Sequence, residues 1–145
     1  MRYTAFVEAD LVLTGPAGDV VAVVEVKARR GTDVEWARQL STHLFRDVPR
    51  DRVFTALITP AQMYLWRPGH PAAQDPETID LSQTLEPYFR RALVDREGVG
   101  PRAFEMLVAN WLTDATVGPG STGLPSDLAA AIRHAKVLTE AELRP

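Results

Sequence analysis

The stretch that decides the fold is EADLVLTGPAGDVVAVVEVKA, residues 8–28. Two apolar runs rich in β-branched residues are joined there by a turn sequence of Gly, Pro and Asp, which is typical of a β-hairpin. If the loop takes the four residues after Gly15, then Gly15 faces Val20, and the same counting sets Asp10 directly opposite Glu25. Opposed side chains on one face of a hairpin lie about 5 Å apart, so we expect two carboxylates to meet.

An amine is expected beside these two acids. Lys27 lies two residues beyond Glu25, and strand side chains alternate between faces, so both should share one face. Two carboxylates so close together need a cation, or one of them must hold a proton. A Glu-x-Lys pair on a strand is often only a solvated outer face, and that alternative stays open. Residues 20–24 favour a functional site instead, because they are all apolar, as in an interior strand covered on both sides.

Asp10 followed by Glu25-x-Lys27 resembles the motif of the PD-(D/E)XK nuclease superfamily, also called restriction-endonuclease-like. The resemblance covers about residues 8–66. It implies that Asp10 and Glu25, helped by the carbonyl of Val26, hold Mg²⁺ or Mn²⁺. It further implies that Lys27 orients a water or stabilises charge on the phosphate.

The chain departs from this family at its amino terminus. Ala9 stands where a proline often precedes the first acid. Only nine residues precede Asp10, whereas the family core commonly opens with a helix that often carries a further glutamate. That helix is either missing or replaced by a C-terminal helix. Glu8 has the parity of Asp10 and is a candidate for a second ion, although a surface residue at the strand end is the favoured alternative.

Residues 33–47 are predicted to form a helix capped by Thr32 or Asp33. In the resembled family this helix often supplies a polar residue, frequently glutamine, to the edge of the site, and Gln39 is the matching position. Ordinary surface positions are the alternative for these polar side chains. The basic residues expected to contact DNA phosphates are Arg29, Arg30, His43 and Arg46.

The remaining elements complete a domain of the α/β (α+β) class, with a mixed four- to five-stranded sheet flanked by helices. We assign residues 1–116 to the nuclease-like domain, and residues 117–145 to a linker and a C-terminal helix in the same domain or in a dimer contact. The expected elements are strands at 53–59 and 62–67, a loop at 68–80, and helices at 84–96, 102–115 and 127–137.

Composition narrows the class of protein further. A chain of 145 residues that is 46% hydrophobic and 24% charged is ordinary for one globular domain. The absence of cysteine excludes disulfides, thiolate metal sites and a cysteine nucleophile. No apolar run is long enough to span a membrane, and the amino terminus lacks a signal peptide, so a cytoplasmic location is expected. The net charge is −3, yet residues 27–52 carry seven basic against four acidic residues.

The leading hypothesis is a metal-dependent nuclease that hydrolyses DNA phosphodiester bonds. The alternative is a catalytically silent, nuclease-like module that binds nucleic acid or a protein partner, as in a defence or repair complex. A third, weaker interpretation is a scaffold whose carboxylates share a proton or pair with Lys27 and Arg29. The apolar stripes of the two C-terminal helices exceed what a small sheet needs, which allows a homodimer.

Overall fold

A computed structural model describes residues 9–71, 74–118 and 123–143. The chain forms a mixed α/β structure in which helices lie on both faces of one sheet. The strands are β1 (Leu11–Thr14), β2 (Val20–Val26), β3 (Phe54–Ile58), β4 (Gln62–Trp66), β5 (Glu77–Asp80) and β6 (Lys136–Thr139). The helices are α1 (Val34–Leu44), α2 (Glu86–Ala92), α3 (Pro101–Val117), α4 (Ser126–Ala131) and α5 (Glu140–Leu143).

The six strands form a sheet in the order β5-β4-β3-β2-β1-β6. Only β2 and β3 run parallel, because α1 carries the chain back between them, and the other neighbours are antiparallel. The mixed α/β class is as expected, whereas the expected number of four to five strands is wrong. The two strands that were not expected, β5 and β6, are the two edges of the sheet.

Both faces of the sheet are covered by helices. One face packs against α2, α3 and α4 through large apolar side chains, among them Phe89, Phe104 and Trp111. The other face packs against α1, with Ala37 and Phe45 over the sheet. The two-sided burial of β2 explains why its residues 20–24 are apolar without alternation.

The hairpin between β1 and β2 has the expected register beside the acids but a different turn. Leu11 pairs with Val24, as the counting required. At the turn, Thr14 rather than Gly15 faces Val20, and the register shifts between Leu13 and Thr14. The Gly15 N–H donates instead to the Asp19 carbonyl at 2.8 Å. The bulge accommodates one extra residue of β2 near the turn, so the register between β1 and β2 is unchanged on the side of the two acids.

Helix α1 begins directly after the connection that follows β2. Asp33 is its N-cap and accepts a hydrogen bond from the Trp36 N–H at 2.9 Å, which decides between the two expected caps. The helix then runs back across the sheet to the start of β3. Its first turn therefore lies at the same end of the sheet as the carboxyl end of β2, and its last turn lies at the opposite end.

Candidate functional site

The carboxylates of Asp10 and Glu25 meet where β1 and β2 run side by side. The register places Asp10 next to the Leu11–Val24 pair, opposite Glu25. The Asp10 N–H donates to Glu25 Oε1 at 3.2 Å, and the Val26 N–H donates to Asp10 Oδ2 at 2.8 Å. Each carboxylate thus accepts a hydrogen bond from a backbone N–H of the neighbouring segment. The expectation that they converge is confirmed.

Glu25 is buried, with 5% of its surface exposed. Its pKa is raised from 4.5 to about 8, first by burial and then by the negative charge of Asp10, while the positive charge of Lys27 lowers it in part. A hydrogen bond with the Asp10 side chain raises the pKa further. At neutral pH the pair therefore holds a proton unless another positive charge takes its place.

Val26 turns its backbone toward Asp10. Within a strand the N–H and the carbonyl of one residue point to the same neighbouring strand. Because the Val26 N–H reaches Asp10, its carbonyl lies on that side too. The next peptide group points the other way, since the Lys27 N–H donates to the Ile58 carbonyl at 2.9 Å. The Val26 carbonyl is therefore on the correct side of β2 for the role that the family resemblance implies.

Lys27 is half-buried at the end of β2 and acts on the pair through its charge. Its amine forms no ion pair with any other described residue. The same charge lowers the pKa of a second acid, Glu105. Lys27 thus interacts with Glu25 and Glu105 through its charge and forms no ion pair with a described residue. Its amine is therefore available to a bound molecule.

Glu105 is a site residue that the sequence did not indicate. It lies half-buried on α3, in the first half of the helix. Its pKa is raised, mainly by burial and then by the charges of Asp10 and Glu140, while Arg102 and Lys27 oppose the shift. Only the packing of α3 against β2 and β6 brings this acid near a residue so distant in the sequence.

Glu140 is the second acid that was missed. β6 pairs with β1 so that Thr139 faces Leu11, and Glu140 follows directly beside Asp10. A groove of about 610 Å³ separates α3 from the end of β6 and is lined by Arg102, Glu105, Thr139 and Glu140, among others. The groove lies beside Glu140 on the α3 side of the sheet, and Asp10, Glu25 and Lys27 do not line it.

A polar cluster fixes the connection that follows Lys27. The Tyr64 hydroxyl, fully buried on β4, donates to Gln62 Oε1 at 2.6 Å and lies 2.8 Å from the Thr32 hydroxyl. Tyr64 pairs with Leu57, which pairs with Glu25, so the three side chains form one row across the sheet. The cluster therefore ties the start of α1 to the row that contains the buried acid.

Other expected site residues lie elsewhere. The Gln39 amide donates to Glu35 at 3.0 Å on the exposed side of α1, so no described contact joins it to the carboxylate pair. His43 and Arg46 are exposed at the last turn of α1 and just beyond it. A helix rises 1.5 Å per residue, so His43 is about 13 Å along the axis from the first turn. The expectation that these three border the site overlooked the direction of the helix.

Arg29 and Arg30 are exposed in the connection after Lys27. The Arg29 guanidinium lies 5.7 Å from the centroid of the Trp36 ring, and Arg30 forms an exposed ion pair with Glu97. Exposed pairs of this kind are weak and exchange readily for other anions. Both residues lie within three positions of Lys27 on an exposed connection. Glu8 lies outside the described residues.

The oxygen atoms of Asp10, Glu25 and Val26 form a small set of ligands for a magnesium ion. Within residues 9–71, 74–118 and 123–143 there is no group of three or more His, Cys, Asp or Glu side chains close enough to hold a metal. Magnesium is commonly bound by only one or two carboxylates, with waters and substrate oxygens completing the shell. Asp10 and Glu25, with the Val26 carbonyl, are chemically suited to that mode of binding.

Comparisons of the chain with known protein families, with curated proteins and with solved structures find no match. Among the helices that the structure describes, none combines the length and the apolar character needed to cross a lipid bilayer.

Proposed function

We propose that the protein is a metal-dependent nuclease that hydrolyses phosphodiester bonds of DNA with Mg²⁺ or Mn²⁺, on a restriction-endonuclease-like fold of the PD-(D/E)XK type. One observation carries the proposal: two acids from adjacent strands converge in a mostly buried corner, and no cation among the described residues forms an ion pair with either of them. Such a pair is costly to the fold unless a positive charge joins it, so its presence favours a site for a cation.

A purely structural role accounts less well for these residues. If the pair were a scaffold, Lys27 or Arg29 should neutralise it directly. Instead Lys27 forms no ion pair with a described residue, and Arg29 lies over Trp36. A proton shared between Asp10 and Glu25 is the remaining structural explanation. That explanation gives the Lys27 amine no role.

Each residue has a distinct role in the proposed reaction. When bound, a divalent ion supplies positive charge to the scissile phosphate and lowers the pKa of a water. Asp10 and Glu25 hold the ion, and the Val26 carbonyl completes the protein's donor set. The Lys27 amine orients the attacking water or stabilises the charge that develops on the phosphate. The charge of Glu105 interacts with those of Asp10 and Lys27 from α3.

DNA is the proposed substrate because the basic residues follow the site in the chain. Arg29 and Arg30 extend the positive charge of Lys27 along an exposed connection, where phosphates on either side of the cut are in reach. The whole protein is acidic, so we expect binding that depends strongly on divalent ions and weakens with added salt.

The experiment uses the only two lysines of the chain. Cleavage of plasmid and of single-stranded DNA is measured with Mg²⁺, with Mn²⁺ and with EDTA, for wild type, Lys27→Ala and Lys136→Ala. Lys136 is exposed at the other end of the sheet, opposite Thr14, so its loss is a matched control. We expect cleavage by wild type and Lys136→Ala and a loss of roughly 100-fold or more in Lys27→Ala. Equal rates in both variants, or no cleavage with either ion, contradict the proposal.

One observation favours the second candidate, a nuclease-like module that binds nucleic acid or a protein partner without cutting. The pKa of Glu25 is raised to about 8, so at neutral pH the carboxylate pair can hold a proton in place of a metal ion. Binding of labelled DNA by wild type and Asp10→Ala, with and without Mg²⁺, separates the two candidates. Affinity that is indifferent both to the metal and to Asp10 supports the silent module.

A further inference from the structure

Helix α3 is apolar on two sides. Its inner side packs on the sheet through buried residues that include Phe104, Leu107 and Trp111. A second stripe runs along its outer side, where every member is exposed and the spacing alternates between three and four residues. The members of this outer stripe are Ala103, Met106, Asn110, Thr113 and Val117. The 3-4 alternation is the pattern of the seam between two helices of a coiled coil.

The outer stripe is shaped to receive another helix. Met106 and Val117, the two largest apolar side chains of the stripe, are 63% and 72% exposed. The Thr113 hydroxyl donates to the Ala109 carbonyl at 2.8 Å, so its polar group is satisfied within its own helix. Met106 and Asn110 line two grooves at once, of about 300 Å³ toward α2 and about 610 Å³ toward β6. A ridge between two grooves is the surface on which helices pack.

Leu93 adds apolar surface beside the groove toward α2. It is 92% exposed, and its backbone is left-handed with a φ of 58° at the C-terminal cap of α2. A leucine in that conformation costs about 1 kcal/mol relative to the glycine that usually occupies such a position. Its neighbours Ala92 and Val94 line the groove toward α2 together with Met106. Leu93 thus lies, exposed, between two residues that line the groove toward α2.

We propose that a second copy of this chain covers the outer stripe of α3, with the two helices antiparallel about a two-fold axis at Asn110. The stripe matches itself under that axis. Ala103 then lies level with the partner's Val117 and Asn110 with the partner's Asn110, while Met106 packs beside the partner's Thr113, one residue away from level. Small side chains face larger ones, and the amide pairs with its own copy, as a polar residue at a coiled-coil seam does when it sets the register.

Charge favours the antiparallel direction. Arg102 lies near the beginning of α3 and Asp114 near its end, both exposed. Parallel helices bring the two arginines to one end of the seam and the two aspartates to the other. Antiparallel helices place one arginine end beside one aspartate end, and their macrodipoles are opposed as well. Two heptads with Leu93 form a small interface, so we expect dissociation constants on the order of 10 µM. The dimer does not depend on whether the carboxylate pair cuts DNA.

Sedimentation of the full chain tests association. We expect the wild-type mass to rise from 16.0 kDa toward twice that value as the concentration is raised from about 2 to about 200 µM. Met106→Glu, at an exposed position, should keep the fold and remain monomeric. Thr42→Glu, on the exposed side of α1, should dimerise like wild type. A wild type that is monomeric throughout, or a dimer that survives Met106→Glu, overturns the proposal.

Single cysteines test the geometry, because the chain has none of its own. Under mild oxidation Asn110→Cys should form a disulfide-linked dimer, since the two-fold axis sets position 110 against itself. Ala103→Cys should not, because the two copies of position 103 are then about 21 Å apart along the helices. In a parallel pair both positions meet their own copies, so crosslinking through position 103 as well as position 110 indicates a parallel pair and overturns the proposed arrangement. Crosslinking through neither position overturns it as well.

Discussion

Replacing Glu25 by glutamine should stabilise the metal-free protein at alkaline pH and have little effect at acidic pH. The pKa of Glu25 is raised from 4.5 to about 8 in the folded protein, mainly by burial and then by Asp10. Between these two pH values the folded state keeps a proton that the unfolded chain has released. The free energy of unfolding therefore falls as the pH rises through this range.

The size of this effect follows from the pKa itself. Each pH unit between 4.5 and about 8 corresponds to 1.36 kcal/mol. Relative to acidic pH the fold therefore loses about 3 kcal/mol of stability by pH 7, where Glu25 still holds its proton, and about 5 kcal/mol above pH 8, where Glu25 is ionised. Glutamine carries no charge, and its carbonyl oxygen can still accept the bond from the Asp10 N–H. The variant should thus equal wild type near pH 5 and exceed it increasingly toward pH 9.

Urea unfolding in EDTA at several pH values between 5 and 9 measures this difference. The two proteins differ only at position 25, so the difference between their unfolding free energies isolates the effect of that side chain. Asp47→Asn, which changes an exposed carboxylate, is the control and should follow wild type at every pH. A difference between Glu25→Gln and wild type that stays constant within about 1 kcal/mol over this range would refute the reasoning.

Three further substitutions have expected effects on stability, each measurable by urea unfolding at pH 7. Tyr64→Phe removes the buried hydroxyl that contacts Gln62 and Thr32 and should cost about 1–3 kcal/mol; an unchanged midpoint would show that the cluster is not formed. Phe104→Ala opens a cavity beside Phe89 and should cost about 3–5 kcal/mol, and a loss below 1 kcal/mol would contradict the packing of α3. Leu93→Gly should stabilise the monomer by about 1 kcal/mol, whereas destabilisation would mean that its left-handed backbone is not strained.

The central part of the fold follows from local patterns in the sequence. The unbroken apolar residues of β2 indicate a strand covered on both faces, and the turn residues locate the hairpin. The register beside Asp10 and Glu25 then follows from counting, although the bulge near Thr14 does not. The helix after β2 is recognisable from its cap and its apolar stripe.

The edges of the sheet could not be predicted in the same way. β5 is a four-residue strand of mostly exposed residues, so it lacks the apolar alternation that marks a strand. β6 follows an alanine-rich helix after only a few residues, and α4 ends at Ala131, short of the expected helical end at residue 137. Its pairing with β1, far away in the sequence, fixes it as a strand.

The sequence likewise predicts only those site residues that lie close together in the chain. Asp10, Glu25 and Lys27 lie on one hairpin and are predictable from spacing alone. Glu105 reaches them only through the packing of α3, which local periodicity does not describe. Residues at the far end of α1, such as His43, follow Lys27 in the chain and are therefore expected at the site. The helix instead carries them to the opposite end of the sheet.

Calorimetric titration of the metal-free protein with Mn²⁺ at pH 7 tests most directly whether the two acids form a cation site. Repeating the titration in buffers of different ionisation enthalpy counts the protons released on binding. Because the pKa of Glu25 is raised to about 8, wild type should bind one ion and release close to one proton, and Asp10→Asn should lose most of the binding. Absence of binding by wild type, or binding that persists in Asp10→Asn without proton release, would contradict the account.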